Sequence, residues 1–515
     1  MASMLWIALY LPELSLQIAT RGTTQNRAIV IKDGPANRPI VIAANDSARS
    51  LGVQLGAPVA AAEALASNLL VVARNKDNEA RALERLAAWA LQFTPTVTLE
   101  PQQGILLEAA PSLRLQGGLD ALMEKIKSGC ERLGYRVVYG VASTARAAWW
   151  FALTSDYCTI HDNYTSFPPP TKSFEGRLQR ESMLTCNRQM DSRFRGSDNI
   201  NDSVDEIFLN HLGKLLITSL GWPVQTVELL HALGIKTLAD CLALPRAGLV
   251  QRFGAALANE LDQALGIQPD VRPIFSAPQQ FHSRIELPAE VSEVDALLFP
   301  LKRLLIEMEG FLRGFGAGVQ SVRVELEQGS KQRESFSVGL LAPEREHQRL
   351  LMLISARLAN LKLERSVWAV SVHAEQLQSL SGKQSSFLVD SASHHVASRQ
   401  LLERLQARLG KDKVQTLALG NDHRPEYAWS VGNVSQHHAV SNYPLRPLWL
   451  LPQPRPIGDS DIALLAGPER IEAGWWDGKS VRRDYYIARN GRGAVLWIYR
   501  QHHGALQWYV HGLFA

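Results

Sequence analysis

At 515 residues, 46% of them apolar and 20% charged, the chain is too long for one hydrophobic core and too apolar for a disordered polymer, which implies three or four globular domains. A net charge of +4 and a pI near 8.8 permit nucleic-acid contact without demanding it. The four cysteines (Cys130, Cys158, Cys186, Cys241) are too scattered for a zinc knuckle or disulfide scaffold, no apolar run is long enough to span a bilayer, and the N-terminus lacks a signal peptide's basic lead, so the expected setting is cytoplasmic.

The first element, MLWIALYL at residues 4–11, is an apolar run closed by Pro12 and predicts a buried strand. It holds no carboxylate; the nearest acid, Glu13, follows the proline. Residues 28–31 and 40–43 flank Asp33-Gly34-Pro35 as the arms of a hairpin would. Next, AANDSARSLGVQLGAPVAAAEAL reads as helix–loop–helix, with breaks at Gly52 and Gly56 and a second helix over 61–66. A long helix over 79–93, strands at 97–100 and 105–109, a helix at 119–133 and a strand at 135–141 follow. That alternation predicts an α/β domain. Residues 155–205 are rich in Asn, Asp, Ser and Thr, include FPPP, and lack periodicity, which predicts a disordered insertion.

LLHALGIKTLADCLALPRAGLVQRFGAAL then places apolar residues at helical spacing around a break at Gly234, Ile235, Lys236 and Thr237. This is the outline of a helix-hairpin-helix, in which backbone N–H groups and a helix N-terminus meet a DNA phosphate; an ordinary helical hairpin shows the same glycine turn. Residues 280–375 read strand 281–286, helix 294–311, strands 319–326 and 334–341, helix 344–358 and strand 367–374, a β-α-β-β-α-β order. In Val322–Leu326 the apolar and charged residues alternate, so Arg323 points either along a nucleic-acid backbone or to solvent. A polar linker over 376–398 leads to a helix at 399–409 and a strand at 414–419. RPLWLLPQPRPI reads as an extended, Pro-rich spacer. Asp477-Gly478 and Asn490-Gly491 are turn signals in a terminal β meander, whose aromatics are its own core first and a partner surface second. There is no Walker loop, GxSxG elbow or HExxH helix. His394-His395 and His502-His503 are adjacent pairs that face different ways, so neither a metal nor a cofactor is expected.

Ala48, Arg49, Gly52, Val53, Gly56 and Pro58 fit the pattern ARxxGVxxGxPxxxA, and in this the chain resembles the Y-family (DinB/UmuC-like) DNA polymerases. The wording of the last fifty residues resembles the ImuB-type branch of that family, polymerase-like mutagenesis factors that keep the fold without the active site. The resemblance implies a multidomain α/β and α+β fold: palm over 1–20 and 90–154, fingers over 21–89, a helix-hairpin-helix thumb over 206–275 and a little finger over 276–375. A linker over 376–398 and a C-terminal partner-binding region over 399–515, ending in the small β meander, complete it.

It also implies where catalytic groups belong. The family carries aspartates on the first strand, where Ala8 and Tyr10 stand here, and an Asp-Glu pair where Val97–Pro101 leaves only Glu100. The fingers tyrosine is replaced by Asp46, although Arg49 is kept, and two lysines near the end of the palm are replaced by Ala145 and Trp149. Two-metal phosphoryl transfer needs several converging carboxylates, so a chain without DNA synthesis is implied. The alternative is an active translesion polymerase using Glu100 with Glu108; a pure protein-interaction module is a third possibility. By resemblance, the partners are primer-template or damaged DNA and the sliding clamp, together with an error-prone replicative-type polymerase (ImuC/DnaE-like) and a RecA-like accessory protein (ImuA-like), all within SOS mutagenesis and translesion synthesis. A clamp peptide of the type Q-L-x-L-F has its best match in Gln384, Phe387 and Leu388, with Gln376–Leu380 as runner-up.

Overall fold

The computed structural model describes residues 4–23, 27–66, 68–101, 103–154, 202–329, 332–363, 365–380, 391–410, 412–420, 422–431, 445–458, 462–501 and 507–514. The insertion expected at 155–205 lies, apart from the start of one helix at Asp202, outside them. The chain forms two compact units, Met1–Arg408 and Leu409–Ala515.

The opening strand, Trp6–Tyr10, lies inside a four-stranded sheet, between Gly104–Glu108 and Val138–Ala142; Val97–Glu100 forms the outer arm. Every pairing is antiparallel, because Val97–Glu100 and Gly104–Glu108 are a hairpin and the opening strand lies against its second arm. Helices cover both faces, which is why this strand is apolar throughout instead of alternating. Ile7 and Leu9 point into a core with helices Lys76–Ala90 and Leu119–Leu133. Trp6 and Ala8 point into a second core built on helix Ala145–Thr154. That core continues into the helices Asp202–Gly213, Val224–Ala232, Leu238–Leu242, Arg246–Phe253 and Ala255–Ala264.

Between the opening strand and the long helix sits a small sheet. Its expected hairpin, Ile29–Asp33 with Ile40–Ala44, gains a third strand, Leu70–Ala73, parallel to the first. Four residues carry too little alternation to announce a strand. Asn45 caps helix Asp46–Ser50 by accepting from the Ala48 N–H at 3.0 Å. Gly52 and Gly56 have φ of +89° and +82°, values that explain glycine at both breaks.

The β-α-β-β-α-β segment folds in the order read from its periodicity. Strands Gln332–Glu344, Ala317–Gln328, Val367–Ala374 and Phe281–Val291 lie side by side in that order, all antiparallel. Helices Val294–Gly314 and His347–Leu358 bury their apolar stripes on one face. Leu377–Ser379 adds a short strand beside Ala317–Val319, so part of the expected linker belongs to the sheet. The next helix runs from Ser391 to Leu409, starting eight residues before the expected position, because its first two turns are helix-compatible but carry no apolar period.

In the second unit, Leu417–Leu419 pairs with Trp429–Val431, and five strands form an antiparallel sheet in the order Trp449–Ile457, Trp508–Leu513, Val495–Gln501, Val481–Asn490, Ile462–Ala473. Both turns read from the sequence are present, at Asp477-Gly478 and Asn490-Gly491. The Pro-rich segment expected to be a spacer is instead an edge strand, with a register shift between Leu450 and Arg455. A strand holding Pro452, Pro454 and Pro456 is tolerated only at an edge.

Candidate functional site

Four of the positions marked by the sequence, Ala8, Tyr10, Ala145 and Trp149, share the core between the four-stranded sheet and helix Ala145–Thr154. Ala8 is fully buried, opposite Leu106 on one side and Gly140 on the other. Tyr10 meets the edge of Trp149, with ring centroids 5.7 Å apart and planes at 83°, and burial pushes its hydroxyl pKa upward. A methyl group on Gly104 would stand 3.1 Å from Trp149, so this indole fills the space beside the strand end. Ala145 is buried in the same core. The surroundings of Ala8 are buried and apolar, unable to hold an ionised group without a partner.

Glu100 and Glu108 are not brought together. Glu100 lies opposite Gly104 and Glu108 lies opposite Trp6, at the two ends of one strand, about 13 Å apart at the rise of a β-strand. Ions about 3.5–4 Å apart need ligands closer than that. Glu100 is also already engaged: Arg272 Nη1 donates to it at 2.5 Å while Arg272 Nε donates to Asp270 at 2.7 Å. Asp46 is 79% exposed, 3.9 Å from Arg136, and Arg49 pairs with Glu13 just beyond the opening strand. Among the described residues no three His, Cys, Asp or Glu side chains come together as a metal cluster. The donors present do not fit two Mg²⁺ ions.

The helical hairpin is closed on itself. Gly234, at φ +81°, donates its N–H to His231, Ile235 donates to Leu230 and Leu238 donates to Leu215. The N–H groups of Lys236 and Thr237 both donate to the Asp240 carboxylate, at 3.1 and 2.9 Å, and hold its pKa below the ordinary carboxylate value. This is a capping box, in which Thr237 Oγ1 accepts the Asp240 N–H in return. The amide route to a phosphate expected from the sequence is therefore taken by Asp240, and Lys236 offers its exposed side chain instead.

Arg323 sits on the polar face of its sheet, as the alternation requires, between two carboxylates: Glu375, to which it donates, and Glu325 at 3.7 Å. On the same face Arg284 donates to Glu327 at 3.1 and 3.2 Å and to Glu286 at 2.5 Å, and lies over the Trp368 ring. His373 is 3.3 Å from Glu325. These cations are largely answered from within the sheet.

Residues 15–152 match the family model described as impB/mucB/samB. The chain is 26% identical over 509 residues to the protein ImuB of Caulobacter vibrioides, in each of two strains, covering 90% of this chain and all of that protein. The chain is thus similar to ImuB over most of its length and carries an impB/mucB/samB region near its start. Solved structures similar to it include an insertion ternary complex of Dbh DNA polymerase (17% identity, 73% of this chain and 100% of that one, TM-score 0.36) and DinB from Sulfolobus solfataricus (18%, 72% and 98%, TM-score 0.36).

The residues of the expected clamp peptide, Gln384, Phe387 and Leu388, lie outside the described residues. The runner-up is described: Leu377–Ser379 is paired in the sheet, and Gln378 Nε2 donates to Gln320 at 2.9 Å. A peptide already zipped into a sheet is not free to insert elsewhere. Sequence reading did not find the buried group around Arg21, which donates to Glu307 and to the Tyr135 hydroxyl, while Ser283 Oγ also donates to Glu307. Its members are separated by up to 286 residues, and no local motif signals such a group. Arg424 was also missed: it is buried between Asp422 and Asp477, under Tyr427 and Trp476. No helix among the described residues is long and apolar enough to cross a membrane.

Proposed function

We propose that this chain is a non-catalytic, polymerase-shaped scaffold of damage-induced mutagenesis. The opening strand carries the reading. Its Ala8 lies between Leu106 and Gly140 in a buried apolar core, and Tyr10 packs on the edge of Trp149, where a polymerase would need metal-binding carboxylates. Glu100, bound to Arg272, and the distant Glu108 make a poor replacement cage. On this reading the palm, fingers, thumb and little finger are kept as a shape that rides on primer-template DNA in the cytoplasm. Lys236 of the hairpin and Arg323 of the little finger contribute side-chain charge to that binding, and Arg49 is structural through Glu13. A peptide at Gln384, Phe387 and Leu388 holds the sliding clamp. The unit from Leu409 onward, rich in exposed aromatics such as Trp475 and Trp476, recruits an error-prone polymerase and a RecA-like accessory protein.

The deciding experiment is primer extension on a gapped template with Mg²⁺ or Mn²⁺, run beside binding to the same DNA across a salt series. Binding that weakens with salt, without extension, supports the scaffold, since phosphate contacts release counterions. Extension that disappears with Glu100→Ala would overturn it in favour of a polymerase with a degenerate site. Absent binding would leave a protein-interaction module.

A further inference from the structure

Domains of one chain move relative to each other by default, unless their interface is large and apolar. The seam between the opening-strand sheet and the sheet spanning 281–374 is of the second kind. Ala88 of helix Lys76–Ala90 belongs to the core of the later sheet, and Ile306 of helix Val294–Gly314 belongs to the core of the earlier one. Trp89 is wedged between two helices through Gly129 and Gly310; a methyl group on either glycine would run into the indole. At the centre of the seam lies the Arg21–Glu307 pair, with side chains 3% and 2% exposed. Tyr135 completes it from the palm side and Ser283 from the other. Around it, Arg303 donates to the Arg21 carbonyl, Arg85 to the Arg284 carbonyl at 3.2 Å, and Arg132 lies 3.1 Å from His347. Partial opening would strand a buried charge on each side, the most expensive way to break an ion pair.

We propose that these two sheets and their helices form one rigid body, and that the chain engages DNA without opening this seam. The second half rests on the DNA-binding reading above; the first does not. A Cβ on Gly314 would stand 2.9 Å from the Cβ of Leu91, close enough for a disulfide after a small adjustment. The test is the full chain carrying L91C and G314C, with Cys158→Ser and Cys186→Ser, bound to primer-template DNA when oxidised and again when reduced. Affinities within about twofold of each other are expected. Oxidised protein that binds tenfold or more weaker, and recovers on reduction, would overturn the proposal. Hydrogen exchange on the unaltered chain is the arm independent of DNA. Amides of 306–312 should be as slow as those of 83–90, with Glu307→Ala accelerating both together. Exchange over 306–312 at least tenfold faster than over 83–90 in the unaltered chain would refute the rigid body. A chain that binds DNA in neither redox state refutes the DNA-binding reading, and the exchange result alone then decides the seam.

Discussion

A carboxylate placed at position 8 would be buried beside Leu106 and Gly140, in a core shared with the indoles of helix Ala145–Thr154. Ala8→Asp should therefore lower stability by about 3–5 kcal/mol, as an unpaired buried charge does, with the loss read from the urea midpoint. An unchanged midpoint would mean that the pocket is wet. Glu100 makes the opposite case, since its charge is matched by Arg272. Glu100→Ala should cost about 1–3 kcal/mol by leaving part of a mostly buried guanidinium unmatched, and should leave primer extension at background. The burial of this strand was legible in its uninterrupted apolar run. What composition could not give is where Glu100 points, as Arg272 lies 172 residues away.

Among elements, the β-α-β-β-α-β segment was legible because its strands alternate and its helices keep their period over many turns. The strand Leu70–Ala73 and the Pro-rich strand Trp449–Ile457 were not, the first for brevity and the second because prolines argue against a strand unless an edge is foreseen. The seam helices set the next expectation: Gly310→Ala should destabilise by about 1–3 kcal/mol through overpacking against Trp89, as followed by thermal unfolding. The C-terminal sheet should be sensitive to acid. Burial, together with Arg483 but against the pull of Glu426, holds the His511 imidazole below its ordinary value. Burial works to raise Glu426, yet Arg483 brings it below the ordinary carboxylate range, and Asp422 and Asp477 are lowered by Arg424. For each of these groups the folded state binds fewer protons than the unfolded one, so stability falls as pH drops. The His511 share fades below about pH 6.5 and the carboxylate share below about pH 4.5. Near-ultraviolet circular dichroism of the stacked Tyr485 and Trp497 should report that loss in the full chain; a signal flat from pH 7 to 4 would contradict it.

At the scale of the whole molecule, several groups that could meet a phosphate are already matched within the protein. Arg284 and Arg323 are answered by glutamates, and the hairpin amides by Asp240. Binding to primer-template DNA should then show a shallow salt dependence, with log K falling against log salt at a slope of about −2 to −4, the signature of few phosphate contacts. A slope of about −8 or steeper would mean that those glutamates release their arginines on DNA. The family and its fold were legible in the fingers glycines and the C-terminal wording. The welding of two sheets was not, since Arg21 and Glu307 become neighbours only after both have folded.

The edge strand Trp449–Ile457 has a consequence for crowded assemblies. Prolines at 452, 454 and 456 remove three N–H donors from this edge strand. It is the outermost strand of its sheet, beside Trp508–Leu513, so an incoming strand would find fewer donors along it than along an ordinary edge. Such an edge resists fibril growth and strand capture, so the exposed Trp475 and Trp476 can stay at the surface of this sheet without its edge seeding aggregation.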